Sequence, residues 1–191
     1  MTLKIAILLS GRGSNMQAIH RAIKEGRLDA KITAILSDQP EAAGLAYAQA
    51  EGILTHVVER QNGEDREAYD RRLISKIDEG SAQLVVLAGF MRLLSPAFIR
   101  HFPNRIVNIH PSLLPAFPGL HAQRQALEAG VRFSGCTVHF VDEGCDTGPI
   151  IDQRVVGVSR EDTEASLSAR ILEQEHQLYP ECLQKIAEGK I

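Results

Sequence analysis

Residues 84–88 carry apolar side chains in succession rather than at alternate positions, and 3–9, 31–36 and 106–109 do so through most of their length. A strand of that kind must be covered on both faces, which points to a mostly parallel sheet clad in helices. The segments between these runs supply the helices. Residues 16–25, 42–51 and 67–79 have apolar side chains at helical spacing, and Gly52 and Gly80 follow the second and third as stop signals. Strand-helix alternation predicts an α/β fold with right-handed crossovers. The pattern adds a short strand over 55–58, a short helix over 96–101 and another helix over 123–129. Two strands over 134–141 and 150–158, joined by "DEGCDTGP", are close enough to form an antiparallel pair that extends the sheet. A long helix over 163–187 closes the chain, with Thr163 or Asp162 as its cap and Pro180 expected to bend or interrupt it.

Composition narrows the function classes. A chain of 191 residues can bury one substantial core, and no linker or repeat divides it. Its apolar runs are too short to span a bilayer, so no membrane partner is expected. The formal charge of −3 argues against a broad nucleic-acid surface, although a single phosphate can still be bound locally. Cys136, Cys145 and Cys182 form no C-x-x-C and leave an odd count, which suits a reducing cytoplasm. No His or Cys spacing resembles a metal set, and no metal is expected.

Three stretches can carry chemistry. In "SGRGSN", residues 10–15, Gly11 and Gly13 allow a tight turn, and the N–H groups of Ser14 and Asn15 open a helix where an anion is favoured. The turn lacks the Lys-Ser/Thr of a P-loop and the third glycine of a dinucleotide fingerprint, and a plain strand-to-helix turn also fits it. In "VNIHPSLLPAFPGLH", residues 107–121, Asn108 and His110 lie two apart on one side of a strand, before a loop stiffened by Pro111, Pro115 and Pro118. An amide donor beside an imidazole suits oxyanion stabilisation and proton exchange, while loop capping and packing would use the same residues. The loop "DEGCDTGPI" offers Asp142, Glu143 and Asp146, any of which could face His110 or solvent.

Taken together, "SGRGSN", "REAYDRRL", "VVLAGFMRLLSPAF", "NIHPSLLPAFPGLH", "VHFVDEGCDTGPII" and "EHQLYP" resemble the phosphoribosylglycinamide formyltransferase family, folate-dependent enzymes of purine synthesis, over about residues 3–185. The resemblance implies a single-domain Rossmann-like formyltransferase fold. Residues 1–191 would then form one domain, its ribonucleotide phosphate-binding half over about 1–100 and its folate and catalytic half over about 101–191. The family's catalytic residues match Asn108, His110 and Asp146. Its ribonucleotide contacts match Gly13, Ser14, Asn15 and Glu175. Its folate contacts match Arg66, Met91, Arg92, Leu93, Leu94 and Asn108, although Leu93 and Leu94 also suit a core. The implied ligands are glycinamide ribonucleotide and 10-formyltetrahydrofolate as co-substrate, and a homodimer is a family expectation. Ala116 stands where other members often have Lys, which removes any charge contact there.

Two enzymatic relatives compete. Formyltetrahydrofolate hydrolase carries an additional amino-terminal domain and methionyl-tRNA formyltransferase an additional carboxy-terminal one, and the length of this chain disfavours both. A catalytically silent folate-binding module remains the alternative from another class, since fold alone does not confer activity.

Overall fold

The computed structural model describes residues 2–191. Its elements run β1 (Leu3–Leu9), α1 (Ser14–Lys24), β2 (Ala30–Ser37), α2 (Ala43–Ala50), β3 (Thr55–Val57), α3 (Arg66–Glu79), β4 (Leu84–Leu87), α4 (Pro96–His101), β5 (Ile106–His110), α5 (Ala122–Glu128), β6 (Phe133–Phe140), β7 (Ile150–Gly157) and α6 (Glu164–Ala187). One seven-stranded sheet has the order β3-β2-β1-β4-β5-β6-β7. Strands β1 to β5 are parallel, and β6 and β7 are antiparallel to their neighbours.

Alternate residues of β1 explain why its apolar run is continuous. Ile5, Ile7 and Leu9 enter one core with Met16 and Ile19 of α1, Leu45 of α2, and Leu167, Ile171 and Leu178 of α6. Ala6 and Leu8 enter a second core with Tyr69, Leu73 and Ile77 of α3 and Phe98 of α4. Both faces are thus buried, as the sequence pattern requires. Among the described residues no helix is long and apolar enough to cross a membrane.

One local expectation needs correction. Helix α6 runs through Pro180 without interruption: the ring removes one N–H, but Pro180 is buried, and Tyr179 beside it anchors the helix with its hydroxyl 2.9 Å from Leu87 O and 3.1 Å from Val107 O. Gly80 stops α3 as expected, standing as its C-cap with a φ of −81°, and Ser81 after it takes the positive φ of 51°. Gly80 also leaves room for Thr33, which an added Cβ would approach to 3.0 Å. Thr163 is the α6 cap, with Ser166 completing a capping box, whereas Asp162 binds the Arg170 guanidinium.

The chain reverses its direction of sheet growth between β1 and β4, the kind of place where open α/β sheets bind ligands at the carboxyl ends of their strands. Leu8 pairs with Leu87, and Leu87 with Asn108. The turn after β1 and the end of β5 therefore lie about 10 Å apart, two strand spacings.

Candidate active site

At the β1 end, Gly13 caps α1 with a φ of 71° and no side chain accepts from the helix's first N–H groups. No acidic residue lies in that turn either. The unpaired donors and the helix dipole favour an anion here. Glycine is required at 13 for two reasons: its φ is positive, and a Cβ there would stand 2.9 Å from Gly44 Cα. Residues 10–15 line a cleft of about 250 Å³ with Ala88, Gly89 and Met91.

Asn15 and Glu175 meet beside this cleft. Asn15 Nδ2 donates to Glu175 Oε2 at 2.7 Å, while Asn15 Oδ1 is buried without a partner. Burial pushes the Glu175 carboxyl up to about 7, against the opposing effect of the Asn15 bond. A carboxyl so placed suits a ligand bearing amine or hydroxyl donors.

Asn108 and His110 end β5, with His110 only 5% exposed. The Asp146 Oδ2 atom stands 3.3 Å from His110 Nδ1, and Phe117 O lies 2.8 Å from Nε2. Both ring nitrogens thus face oxygen, and only the imidazolium can donate to both. Asp146 has a φ of 55°, an uncommon value for a residue with a side chain, and its carboxylate accepts from Gly119 N at 2.8 Å. The proline-rich loop therefore binds back to both His110 and Asp146. Thr137 of β6 holds its near end, donating to Ser112 O at 2.7 Å and accepting from Leu114 N at 3.0 Å.

His139 is the residue that sequence reasoning missed. It pairs with Asn108 across β5 and β6, its Nδ1 lies 2.8 Å from Phe140 O, and its Nε2 lies 3.4 Å from Asn108 Nδ2. Burial lowers the pKa of His139 and favours the neutral ring. With Nδ1–H given to Phe140, Nε2 is the acceptor, which assigns the amide nitrogen of Asn108 to this side. Position 139 carries no signal in sequence until the antiparallel register is known.

The 91–94 segment divides. Met91 is 69% and Leu93 62% exposed beside the cleft end of β4, whereas Leu94 packs in the second core and leaves only its backbone for a ligand. Arg92 is already engaged by Asp38, with Nε 2.7 Å from Oδ2. Arg66 opens α3 on the exposed side and acts electrostatically on Asp70, whose carboxylate accepts from Ser95 N at 2.6 Å. Asp142 and Glu143 do not reach His110: Asp142 accepts from Gly144 N and Thr147 Oγ1, and Glu143 pairs with Arg100.

With this geometry in hand, comparison with known proteins is informative. Residues 3–183 match the formyl transferase family model. The chain is 47% identical over 189 residues to the phosphoribosylglycinamide formyltransferase of Escherichia coli, covering 99% of this chain and 89% of that protein. It is 45% identical to the trifunctional purine biosynthetic protein adenosine-3 of Drosophila melanogaster, a longer protein of which it spans 14%. The crystal structure of glycinamide ribonucleotide transformylase 1 from Symbiobacterium toebii superimposes with a TM-score of 0.96 at 47% identity, covering 98% of this chain and 89% of that one.

Proposed function

The chain belongs to the formyl transferase family, and from that premise we propose that it transfers the formyl group of 10-formyltetrahydrofolate to the primary amine of 5′-phosphoribosylglycinamide, in the cytoplasm, as a step of de novo purine synthesis. The meeting of Asn108, His110 and Asp146 at the carboxyl end of β5 carries this reading. The ribonucleotide phosphate takes the N–H groups of Gly13, Ser14 and Asn15, and Glu175 faces the donors of the same ligand. The folate lies along Met91, Arg92, Leu93 and the backbone of Leu94, with Arg66 on its outer side.

The substrate amine is the nucleophile, and no covalent enzyme intermediate is needed. As its nitrogen bonds to the formyl carbon, the carbonyl electrons move to oxygen. Asn108 Nδ2 and an N–H of His110 stabilise that oxyanion. Phe117 O occupies His110 Nε2 in the free protein, so the ring exchanges this carbonyl for the oxyanion. Asp146 supports the imidazolium, and with water it relays the proton that the amine loses and the departing folate nitrogen gains. His139 holds the Asn108 amide with a donor directed into the site.

Transfer has more support than hydrolysis of the folate, because the likeness to a named transferase extends over nearly the whole of both chains. The test follows folate absorbance with and without the ribonucleotide, using His110→Ala as a control. Ribonucleotide-dependent turnover that collapses in the control is expected. Folate consumption without the ribonucleotide would replace this reading with a hydrolase, and no turnover in either case would leave a silent binding module.

A further inference from the structure

Behind the exposed Met91 and Leu93 lies a polar network centred on Asp38, a buried residue that takes no part in the proposed reaction. Ser10 N donates to Gly89 O at 3.0 Å, and Met91 N donates to Ser10 Oγ at 2.9 Å. One residue further on, Arg92 Nε donates to Asp38 Oδ2 at 2.7 Å, which also accepts from Gln39 Nε2 at 3.0 Å. The guanidinium lies 5.3 Å from the centre of the buried Tyr69 ring. Asp38 itself is 5% exposed, just past the end of β2. Burial opposes its ionisation, but its polar neighbours, with Gln39 and Arg92 both donating to Oδ2, outweigh it and hold the carboxyl below its ordinary range. Asp38 Oδ1 is buried without a hydrogen-bond partner.

The arrangement joins three strand ends. Ser10 follows β1, Asp38 follows β2 and Met91–Arg92 follow β4, so two adjacent residues of the exposed segment are tied to two neighbouring strands. Between the core residues Phe90 and Leu94, Met91 and Leu93 hold large apolar side chains in water, and ordering such a stretch only on binding costs affinity. Anchors at both Met91 N and the Arg92 side chain remove that freedom beforehand.

We infer that Asp38 is a positioning residue of the folate segment: by holding the Arg92 side chain, it fixes the backbone of residues 91–92 along which the folate ring rests. This rests on the folate reading of that segment. The carboxylate touches neither ligand; its effect falls on folate affinity, because the N–H groups assigned to the ribonucleotide begin beyond Ser10, in a turn held independently by Gly44 N donating to Gly11 O at 3.1 Å.

The test compares Asp38→Ala with Asp38→Asn, measuring KM for each substrate, kcat and thermal stability. In the Ala variant KM for 10-formyltetrahydrofolate rises about tenfold, while kcat and the ribonucleotide KM stay within about threefold. The Asn variant recovers most of the loss, since its amide oxygen still accepts from Arg92. Asp38→Leu, which keeps the volume and removes both acceptor oxygens, gives the same split and serves if Asp38→Ala does not fold. Equal rises in both KM values, or an unchanged folate KM, would overturn the inference alone. Wild-type protein that never saturates with folate would overturn the site reading and this inference with it.

Discussion

The proposed reaction draws on the turn at residues 10–15 and on the cluster around His110 by opposite means. The turn offers backbone N–H groups from consecutive residues, and Gly13 is indispensable there because it has no side chain. The cluster offers side chains from β5, β6 and the loop before β7, which meet only through the antiparallel register of the sheet and a left-handed Asp146. A backbone site is lost by adding atoms; a side-chain site is lost by changing one functional group at constant shape. The two halves of a single reaction should therefore fail separately.

Asp146→Asn is the sharpest way to break that separation. Asn tolerates positive φ and keeps an oxygen for Gly119 N, so the loop retains its shape. What changes is the charge beside His110 Nδ1. Single-turnover transfer falls about 10³-fold, within the range typical of lost acid–base support, while calorimetry finds ribonucleotide affinity within about twofold of wild type. Equal losses in rate and affinity would mean that the two regions act as one unit.

The same contrast governs how much could be read from the sequence. The turn was legible because its chemistry is local: two glycines, a strand before and a helix after. The sheet was legible because β1 and β4 are apolar on both faces, and the β6–β7 pair because its connection is short. Asn108 and His110 were visible as a polar pair on a strand end, but Asp146 joined them only through family resemblance, since several acids share its loop. His139 and Asp38 stayed hidden. Each acts through a partner distant in the chain, Asn108 for one and Arg92 for the other, and neither partner can be named until strand order and register are fixed. Leu94 had the apolar side chain of a folate contact and of a core residue alike, and only burial separates the two.

Gly13→Ala probes the other side of the comparison with a smaller effect. The added methyl carbon meets Gly44 Cα at 2.9 Å and sits on a residue with a φ of 71°. Strain of that kind costs about 1–3 kcal/mol, read from urea unfolding. Relief of the strain rotates the first N–H groups of α1, so ribonucleotide affinity falls about tenfold while folate affinity is preserved. Unchanged ribonucleotide affinity would remove the backbone from its assigned role.

Glu175 qualifies the contrast, because it brings a side chain from α6 to a site otherwise made of backbone. Its carboxyl is raised from an ordinary 4.5 to about 7 in the folded protein. Between those values the folded state keeps a proton that the unfolded state has lost, so this group's contribution to stability is present below pH 4.5 and lost as pH rises through 7, on the order of 3 kcal/mol in all. His139 and His176, whose pKa values are lowered by burial, act in the opposite sense, destabilising the fold as pH falls through 6.5. Subtracting the Glu175→Gln curve from wild type isolates the carboxyl from both. The difference in unfolding free energy should be flat below pH 4, grow in favour of the Gln variant across the window, and level off above pH 8 at about 2–3 kcal/mol. Saturating ribonucleotide should shrink it, because a ligand donor facing the ionised carboxylate offsets its burial. Parallel curves from pH 4 to 8 would instead mean that water in the cleft already solvates Glu175, and the turn would then need only its backbone to hold an anion.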